Sequence, residues 1–336
     1  MLLISKIQKI LCIKPRGIGD IVLATVVLEN LKNAFPQAEI HFLTEDFGKR
    51  AIENNPFISK VLTYQKNDFI LSIIRKVRKE KYDIVFDFWS NPKTAQITFL
   101  SGAKYKIGFD YRGRKYAYAI RAERAAPEMH AAEANFQLLK AAGIPVTSKN
   151  THFYLTEEEK KFAAEYFHSK NLTNTIVIGI IPSGGWPSKR CEPEKWIEIC
   201  RELERVYQSR FLILWGPEDK EDADKIFSSL KEISIYAPET SVGMMAALIS
   251  KCQLVIANDS GPMHISAALK VPTIGIFGPT NPQNHRPYSV NSDFVIKSDL
   301  FCIICNKLTC QYHHECMFEL PVQPFIEKAG KLLGRR

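Results

Sequence analysis

Two hydrophobic patterns alternate along this chain of 336 residues. Short, almost continuous apolar runs predict strands buried on both faces, and the stretches between them place apolar residues every three or four positions, which predicts amphipathic helices. Since strand and helix alternate over nearly the whole length, we expect an α/β protein with doubly wound sheets. The apolar runs span residues 10–14, 38–43, 82–87, 106–109, 175–181, 211–218 and 253–255.

One strand-to-helix turn is distinctive, at residues 256–264 (Ile-Ala-Asn-Asp-Ser-Gly-Pro-Met-His). Its proline suits the first turn of a helix, because its φ is already helical and its missing N–H would have had no partner there. With Ser260 or Gly261 as the cap, the helix N-terminus would form an anion site for phosphate, flanked by Asp259 and His264. For the turn taken alone, simple capping and packing of these residues is an open alternative.

Two further turns contain candidate residues. The turn at 15–20 has two glycines without the Gly-x-Gly-x-x-Gly spacing of a dinucleotide site, and it ends at Asp20. A carboxylate there either caps the next helix or points into the crevice where α/β proteins bind ligands. In the second turn, Gly184 and Gly185 permit close approach of the backbone to a ligand, and Lys189 supplies a positive charge for phosphate.

The length of the chain exceeds what one ordinary core supports, which predicts two domains. We place the first domain at residues 1–172, the second at 173–320, and a terminal helix in 321–336 that is free to pack back on the first domain. Hydrophobic residues make up 46% and charged residues 24%, as in globular proteins. The sequence contains neither an apolar run of about 18 residues nor a signal peptide, so we expect a cytoplasmic protein.

The formal net charge of +9 favours acidic partners. The sequence has no nucleic-acid-binding motif, which leaves phosphorylated substrates and an anionic membrane surface. Basic clusters at 76–79, 112–115 and 121–124 all lie in the amino-terminal half. The stretch 110–124 has no clear period and is expected to be a mobile loop facing the acidic partner.

Four of the eight cysteines cluster near the carboxyl end. Cys302, Cys305, Cys310 and Cys316 follow the spacing Cys-x2-Cys-x4-Cys-x5-Cys, and four thiols this close can ligate zinc or iron. The spacing matches neither a standard zinc ribbon nor a ferredoxin loop. A structural Zn or Fe and no metal at all are both open from the sequence.

The string from Asp259 to His264, with the small-residue helix and residues 271–280 that follow, resembles the carboxyl-terminal signature of the bacterial lipopolysaccharide heptosyltransferases, glycosyltransferase family 9. The resemblance spans nearly the whole chain. It implies the GT-B architecture, in which two Rossmann-like doubly wound domains face each other across a cleft. The second domain would bind the donor, normally ADP-heptose, and the first the acceptor.

The resemblance also implies roles for single residues. Asp20 matches the proposed general base of the family, and Lys189 matches a lysine that meets the donor diphosphate, although Cys191-Glu192 replaces the family's Trp-Pro pair. Glu218 is the candidate for the ribose contact, with Asp219 and Glu221 as competitors. The implied donor-binding residues are Ser183, Gly184, Gly185, Lys189, Glu218, Met244, Asp259, Ser260, Gly261 and His264.

The function implied by the resemblance is inverting transfer of a heptose from ADP-heptose to an acidic inner-core lipopolysaccharide acceptor. No cofactor is required, nucleic acid is not a partner, and peripheral association with the inner face of the inner membrane is compatible. Three alternatives stay open: a related transferase with another nucleotide sugar or a protein acceptor, a GT-B-like nucleotide-sugar epimerase, and a noncatalytic nucleotide-binding scaffold.

Overall fold

The computed structural model describes residues 7–334. The chain divides into two compact units, Met1–Tyr154 and Leu155–Arg336, which we call unit 1 and unit 2. The division falls after residue 154 and not after residue 172, because the helix Glu157–Ser169 buries Ala163 and Phe167 in the core of unit 2. Residues 1–6 and 335–336, which belong to the predicted first domain and terminal segment, lie outside the described residues.

Unit 1 is one parallel sheet with helices connecting its strands. Its strand order is β3-β2-β1-β4-β5-β6, so the order reverses direction between β1 and β4. This reversal is the switch point at which doubly wound sheets bind their ligands. The elements are β1 Lys9–Ile13, α1 Ile18–Ala24, α2 Leu28–Ala34, β2 Glu39–Glu45, β3 Lys60–Tyr64, α3 Ile70–Lys79, β4 Ile84–Asp87, α4 Pro92–Leu100, β5 Tyr105–Phe109, β6 Ile120–Ala122 and α5 Ala131–Ala141.

Unit 2 repeats the same topology. Its parallel sheet has the order β12-β11-β10-β7-β8-β9, and its switch point lies between β7 and β10. The prediction of two doubly wound Rossmann-like sheets is therefore confirmed. The elements are α6 Glu157–Ser169, β7 Val177–Ile181, α7 Pro193–Tyr207, β8 Arg210–Ile213, α8 Lys220–Ser229, β9 Ser234–Tyr236, α9 Val242–Ile249, β10 Leu254–Asn258, α10 Gly261–Ala268, β11 Thr273–Phe277, α11 Pro282–His285, β12 Ser292–Ile296, α12 Glu315–Phe318 and α13 Gln323–Leu332.

Among the strands that were not predicted from the sequence are three edge strands: β3, β6 and β12. Their sequences, Lys-Val-Leu-Thr-Tyr, Ile-Arg-Ala and Ser-Asp-Phe-Val-Ile, lack continuous apolar runs because edge strands are partly exposed. The strand β6 lies inside the stretch 110–124, which also contains the 3-10 turn Lys115–Ala117 and is more regular than the expected loop.

The terminal helix α13 packs within unit 2. Its residues Phe325 and Ala329 are fully buried in the unit 2 core, and Lys328 forms an ion pair of 2.7 Å with Asp293 at the start of β12. Among the helices of residues 7–334, not one is both long enough and apolar enough to cross a membrane.

Candidate functional site

The carboxyl end of β1 leads directly into α1 of unit 1. Gly17 is the N-cap of α1 with φ of 74°, so the helix begins at Ile18 and Asp20 lies in its first turn, not at the cap position that the sequence predicted. A carboxylate in the first turn still faces the positive end of the helix dipole. The Asp20 side chain is 44% exposed, and its Oδ1 lies 3.8 Å from Nζ of Lys14.

Lys14 is a buried cation beside Asp20. Its Nζ donates a hydrogen bond of 3.2 Å to the carbonyl of Phe88 and lies 4.9 Å from the ring centroid of Trp89, just beyond β4. Burial lowers the pKa of Lys14, against the opposing charges of Asp20 and the buried Asp87. Because β1 and β4 flank the switch point, Lys14 and Asp20 lie where a doubly wound sheet binds its ligand.

Three side chains meet at the carboxyl edge of the unit 2 sheet. Lys189 ends the 3-10 turn Pro187–Lys189, Asp259 follows β10, and Thr280 comes shortly after β11. Nζ of Lys189 lies 2.7 Å from Oδ2 of Asp259, and the Thr280 hydroxyl donates to the same oxygen at 2.7 Å. Nζ also lies 4.3 Å from the ring centroid of Trp186. We call Lys189, Asp259 and Thr280 the buried triad.

Asp259 is a buried carboxylate that the triad keeps ionised. Its side chain is only 7% exposed. Burial alone would raise the pKa of Asp259, but the charge and hydrogen bond of Lys189, the charge of His264 and the hydrogen bond of Thr280 outweigh burial and hold that pKa below its ordinary value. Asp259 is therefore charged at neutral pH, and its charge fixes the Lys189 ammonium.

The N-terminus of α10 lies next to the triad in sequence and space. Ser260 is the N-cap, and Gly261 and Pro262 are the first two helical residues. The Ser260 hydroxyl oxygen is buried and has no hydrogen-bond partner within residues 7–334. A helix N-terminus already attracts anions through its N–H groups and dipole, and this hydroxyl adds one more donor. The arrangement suits a phosphate group.

The loop between β7 and α7 is held by Asn258, a fully buried residue that the sequence analysis passed over. Its Nδ2 donates to the carbonyl of Pro182 at 2.6 Å, and its Oδ1 accepts from the Cys191 N–H at 3.3 Å. Burial raises the pKa of the Cys191 thiol well above its usual range, so the residue packs as a small apolar group. Both ends of the loop are thereby joined to the end of β10.

The candidates for the ribose contact occupy different environments. Glu218 is exposed, whereas Asp219 is 7% exposed and its Oδ1 lies 3.2 Å from Nη2 of Arg190. Burial raises the pKa of Asp219, and the Arg190 charge opposes that rise. Arg190 Nε also donates to the carbonyl of Gly184 at 3.0 Å. Of these two carboxylates, Asp219 is the one connected to the glycine loop, through Arg190.

The remaining donor candidates lie in unit 2 at the ends of strands and helices. Ser183 is half-buried, and the space around a Cβ at Gly185 is open. Met244 is half-buried in the first turn of α9, whereas its neighbour Met245 packs against the core. The residues that the structure brings together at the carboxyl edge of this sheet are Lys189, Asp259, Ser260, Gly261 and His264, and Asp20 belongs to unit 1.

Sequence reasoning also missed Lys14, Thr280 and Arg190. Lys14 interrupts the apolar pattern directly after a buried strand, and Thr280 stands in the Gly-Pro-Thr turn after another, so both had a signal in their position at a strand end. Arg190 had none, because its partner Asp219 comes from a different turn of unit 2.

The four clustered cysteines line one cavity of about 260 Å³. All four are free thiols, and burial raises the pKa of Cys316 to about 12. Within residues 7–334, no group of three or more His, Cys, Asp or Glu side chains is placed to hold a metal ion.

Comparison with known proteins assigns the fold and the chemistry. The family model of glycosyltransferase family 9 (heptosyltransferase) matches residues 70–315. The chain belongs to this family. It is 28% identical to a lipooligosaccharide heptosyltransferase 2 of Campylobacter jejuni over 97% of this chain and 98% of that protein. As a family 9 member, it is a glycosyltransferase.

Two solved structures share the fold of the family 9 chain. One is a glycosyl transferase of family 9 from Veillonella parvula, with a TM-score of 0.81, 24% identity and coverage of 97% of each chain. The other is the ADP-heptose LPS heptosyltransferase II of Escherichia coli, with a TM-score of 0.78, 20% identity and coverage of 97% of this chain and 98% of that one. Each unit therefore corresponds to one of the two Rossmann-like domains of the GT-B fold.

Gly17 leaves the space that the Asp20 carboxylate occupies, and its replacement gives a test of that placement. A Cβ at residue 17 would collide with Oδ2 of Asp20, and φ of +74° disfavours any L side chain. We expect Gly17→Ala to lower kcat by displacing the carboxylate and to cost about 1–2 kcal/mol of unfolding free energy. Gly102→Ala is the control, because Gly102 also has a positive φ, of 83°, with open space at its Cβ. Equal loss of turnover in both variants would contradict the assignment.

Proposed function

We propose that this glycosyltransferase transfers a heptose from ADP-heptose to an inner-core lipopolysaccharide acceptor, with inversion at the anomeric carbon. The sugar and the acceptor class are those of the relatives, the lipooligosaccharide heptosyltransferase 2 of Campylobacter jejuni and the ADP-heptose LPS heptosyltransferase II of Escherichia coli. The net charge of +9 agrees with an acidic acceptor at an anionic membrane surface. We propose peripheral association with that surface as part of the same function.

The observation on which the donor assignment rests is the buried triad next to the N-terminus of α10. Lys189 brings a positive charge to a place where helix N–H groups and the unpartnered Ser260 hydroxyl already favour an anion. A nucleoside diphosphate provides the negative charge that Lys189, the helix N–H groups and the Ser260 hydroxyl can bind together. Lys189 and the helix N-terminus would then stabilise the charge that develops on the departing diphosphate.

We propose that Asp259 orients both the donor sugar and the Lys189 ammonium group. Its contacts with Lys189 and Thr280 both use Oδ2. We therefore assign Oδ1 to a hydroxyl of the sugar, which would donate to it. One carboxylate would in this way connect the position of the sugar to the position of the ammonium group at the diphosphate.

Asp20 is proposed as the general base. The acceptor hydroxyl gives its proton to the Asp20 carboxylate as its oxygen bonds to the anomeric carbon, and the bond from that carbon to the diphosphate oxygen breaks on the opposite side, which releases ADP. A carboxylate is a modest base, and its help is worth about 10² to 10⁴ in rate. Nζ of Lys14, 3.8 Å from Oδ1 of Asp20, places a positive charge beside this carboxylate.

The direct test is a donor panel with product analysis. The purified chain is incubated with a lipid acceptor that carries the inner-core sugars and with ADP-heptose, ADP-glucose or UDP-glucose, and mass spectrometry follows the acceptor. We expect the mass of one heptose to be added only with ADP-heptose. ADP-glucose is the matched control, because it has the same nucleotide. Transfer from another nucleotide sugar, or to a protein in place of the lipid, would overturn the proposal in favour of a related transferase.

A further inference from the structure

The cysteine segment, residues 301–316, lies directly against the proposed donor site. Its four thiols share one cavity with Ser188, Pro279 and His314. Ser188 precedes Lys189 of the buried triad, and Pro279 precedes Thr280. The segment is therefore adjacent in space to two of the three turns that form the triad.

Every polar group of Ser188 is bonded to the cysteine segment. The Ser188 N–H donates to the carbonyl of Leu308 at 3.2 Å, and its hydroxyl donates to the carbonyl of Lys307 at 2.6 Å. Its own carbonyl lies 2.8 Å from Nε2 of His314. Ser188 is only 3% exposed, so water cannot replace these partners without opening the site. The position of Lys189 thus depends on residues 307–314.

The turn before Thr280 is hydrogen-bonded to the cysteine segment as well. The N–H of Ile304 donates to the carbonyl of Gly278 at 3.0 Å, and the N–H of Asn306 donates to that of Pro279 at 2.7 Å. A Cβ at Gly278 would come within 2.7 Å of Sγ of Cys316, so the thiol packs directly on this turn. The cysteine segment therefore holds the residues that precede Lys189 and Thr280, both of which contact the Asp259 carboxylate.

His314 connects the segment to a third element. Its Nδ1 lies 2.9 Å from Oε1 of Glu192, which is the N-cap of α7, while Nε2 contacts the Ser188 carbonyl. The residue has φ of 60°, in the left-handed region that few residues other than glycine adopt. The histidine holds residues 188 and 192 on either side of the Lys189–Cys191 stretch.

We propose that the cysteine segment supports the donor site and regulates nucleotide binding there, with His314 as its main positioning residue. Donor binding and the chemical state of the exposed thiols then affect each other. The inference rests on the proposed donor site in unit 2. Cys305 is exposed and Cys302 and Cys310 are half-buried, whereas Cys316 is buried. A group added to an exposed thiol displaces residues 304–308, which loosens Lys189 and Thr280 and weakens nucleotide binding. By linkage, bound nucleotide must restrain the segment in return.

The experiment measures both directions of this coupling on the wild-type chain. Iodoacetamide alkylates the thiols with and without saturating ADP, and peptide mass spectrometry resolves the rate at each cysteine. We expect ADP to slow alkylation of Cys302, Cys305 and Cys310 several-fold, and the alkylated chain to bind ADP about 5- to 150-fold more weakly by calorimetry. Cys12, Cys200 and Cys252, which are buried with raised pKa values, are internal controls that should stay unmodified.

A pair of variants tests the role of His314. We expect His314→Ala to raise the Kd for ADP about 5- to 150-fold while kcat at saturating donor stays near the wild-type value. His314→Gln, which keeps one donor for the Ser188 carbonyl, should recover part of the affinity. His313→Ala removes the exposed neighbouring histidine and should change nothing. A fall in kcat with unchanged Kd would contradict a positioning role.

The outcomes separate this inference from the proposed function. If the chain binds ADP, Lys189→Met weakens that binding, and neither alkylation rates nor His314→Ala respond, the coupling is wrong and the donor site stands. If ADP binding is indifferent to Lys189→Met, the donor site lies elsewhere and the proposed function fails, whatever the thiols do.

Discussion

Asp20→Asn is expected to lower kcat by about 10² to 10⁴ while the Kd for ADP stays unchanged, because an amide cannot accept the proton of the acceptor hydroxyl. The substitution preserves the size of the side chain in the space left by Gly17. Single-turnover kinetics with saturating donor and acceptor measure the chemical step, and calorimetry measures ADP binding. Donor affinity should survive, since Asp20 belongs to unit 1 and the buried triad to unit 2.

The matched control for this variant is Asp46→Asn. Asp46 is likewise an exposed carboxylate in the first turn of a helix of unit 1, the 3-10 helix Asp46–Ala51. Loss of a first-turn charge costs both variants about the same small helix-dipole energy, about 0.3–1 kcal/mol. Only Asp20→Asn should lose turnover. A wild-type rate in Asp20→Asn would remove the general base from the proposal.

Lys189→Met is expected to weaken ADP binding about 10- to 100-fold, because a charge-assisted hydrogen bond to the diphosphate contributes about 1.5–3 kcal/mol. The same substitution should lower the free energy of unfolding by about 3–5 kcal/mol, since it leaves the Asp259 carboxylate, 7% exposed, without its cation. Calorimetry with ADP and denaturant titration at neutral pH measure the two effects separately.

The double variant Lys189→Met with Asp259→Asn separates affinity from stability. The neutral amide removes the unpaired buried charge, so much of the stability should return while ADP binding stays weak. Recovery of ADP affinity in the double variant would show that Lys189 acts only by neutralising Asp259. Such a result would remove the diphosphate contact from the proposal.

The pH dependence of stability should change sign between the wild type and Lys189→Met. The wild-type pKa of Asp259 lies below its ordinary value, so the carboxylate stabilises the fold above about pH 4 and loses that contribution as the pH falls further. Without Lys189, burial raises this pKa, and the variant should instead lose stability as the pH rises through the raised value. Denaturant titrations between about pH 2 and pH 7 cover both slopes, the wild-type one below about pH 4 and the variant one above it.

The central strands show how much of the fold a linear pattern can predict. Strands β1, β7 and β10 are buried on both faces, so their sequences are nearly continuous apolar runs that are visible without any partner. The edge strand β12 and the short β6 depend on pairing with one neighbour, and their residues alone do not distinguish them from loop. The unit boundary had the same difficulty, because α6 is assigned by its packing and not by its composition.

The sequence by itself determined the α/β alternation, the positions of Asp20, Lys189 and Asp259 in the segments that follow strands, and the family signature, because each is a local pattern of residue types. Tertiary structure alone decided that Lys189 and Thr280 share one oxygen of Asp259, that Lys14 lies beside Asp20, and that the cysteine segment holds Ser188. These contacts join residues that stand far apart in the chain or on different strands. Strand order and burial bring them together, and no spacing in the sequence encodes either.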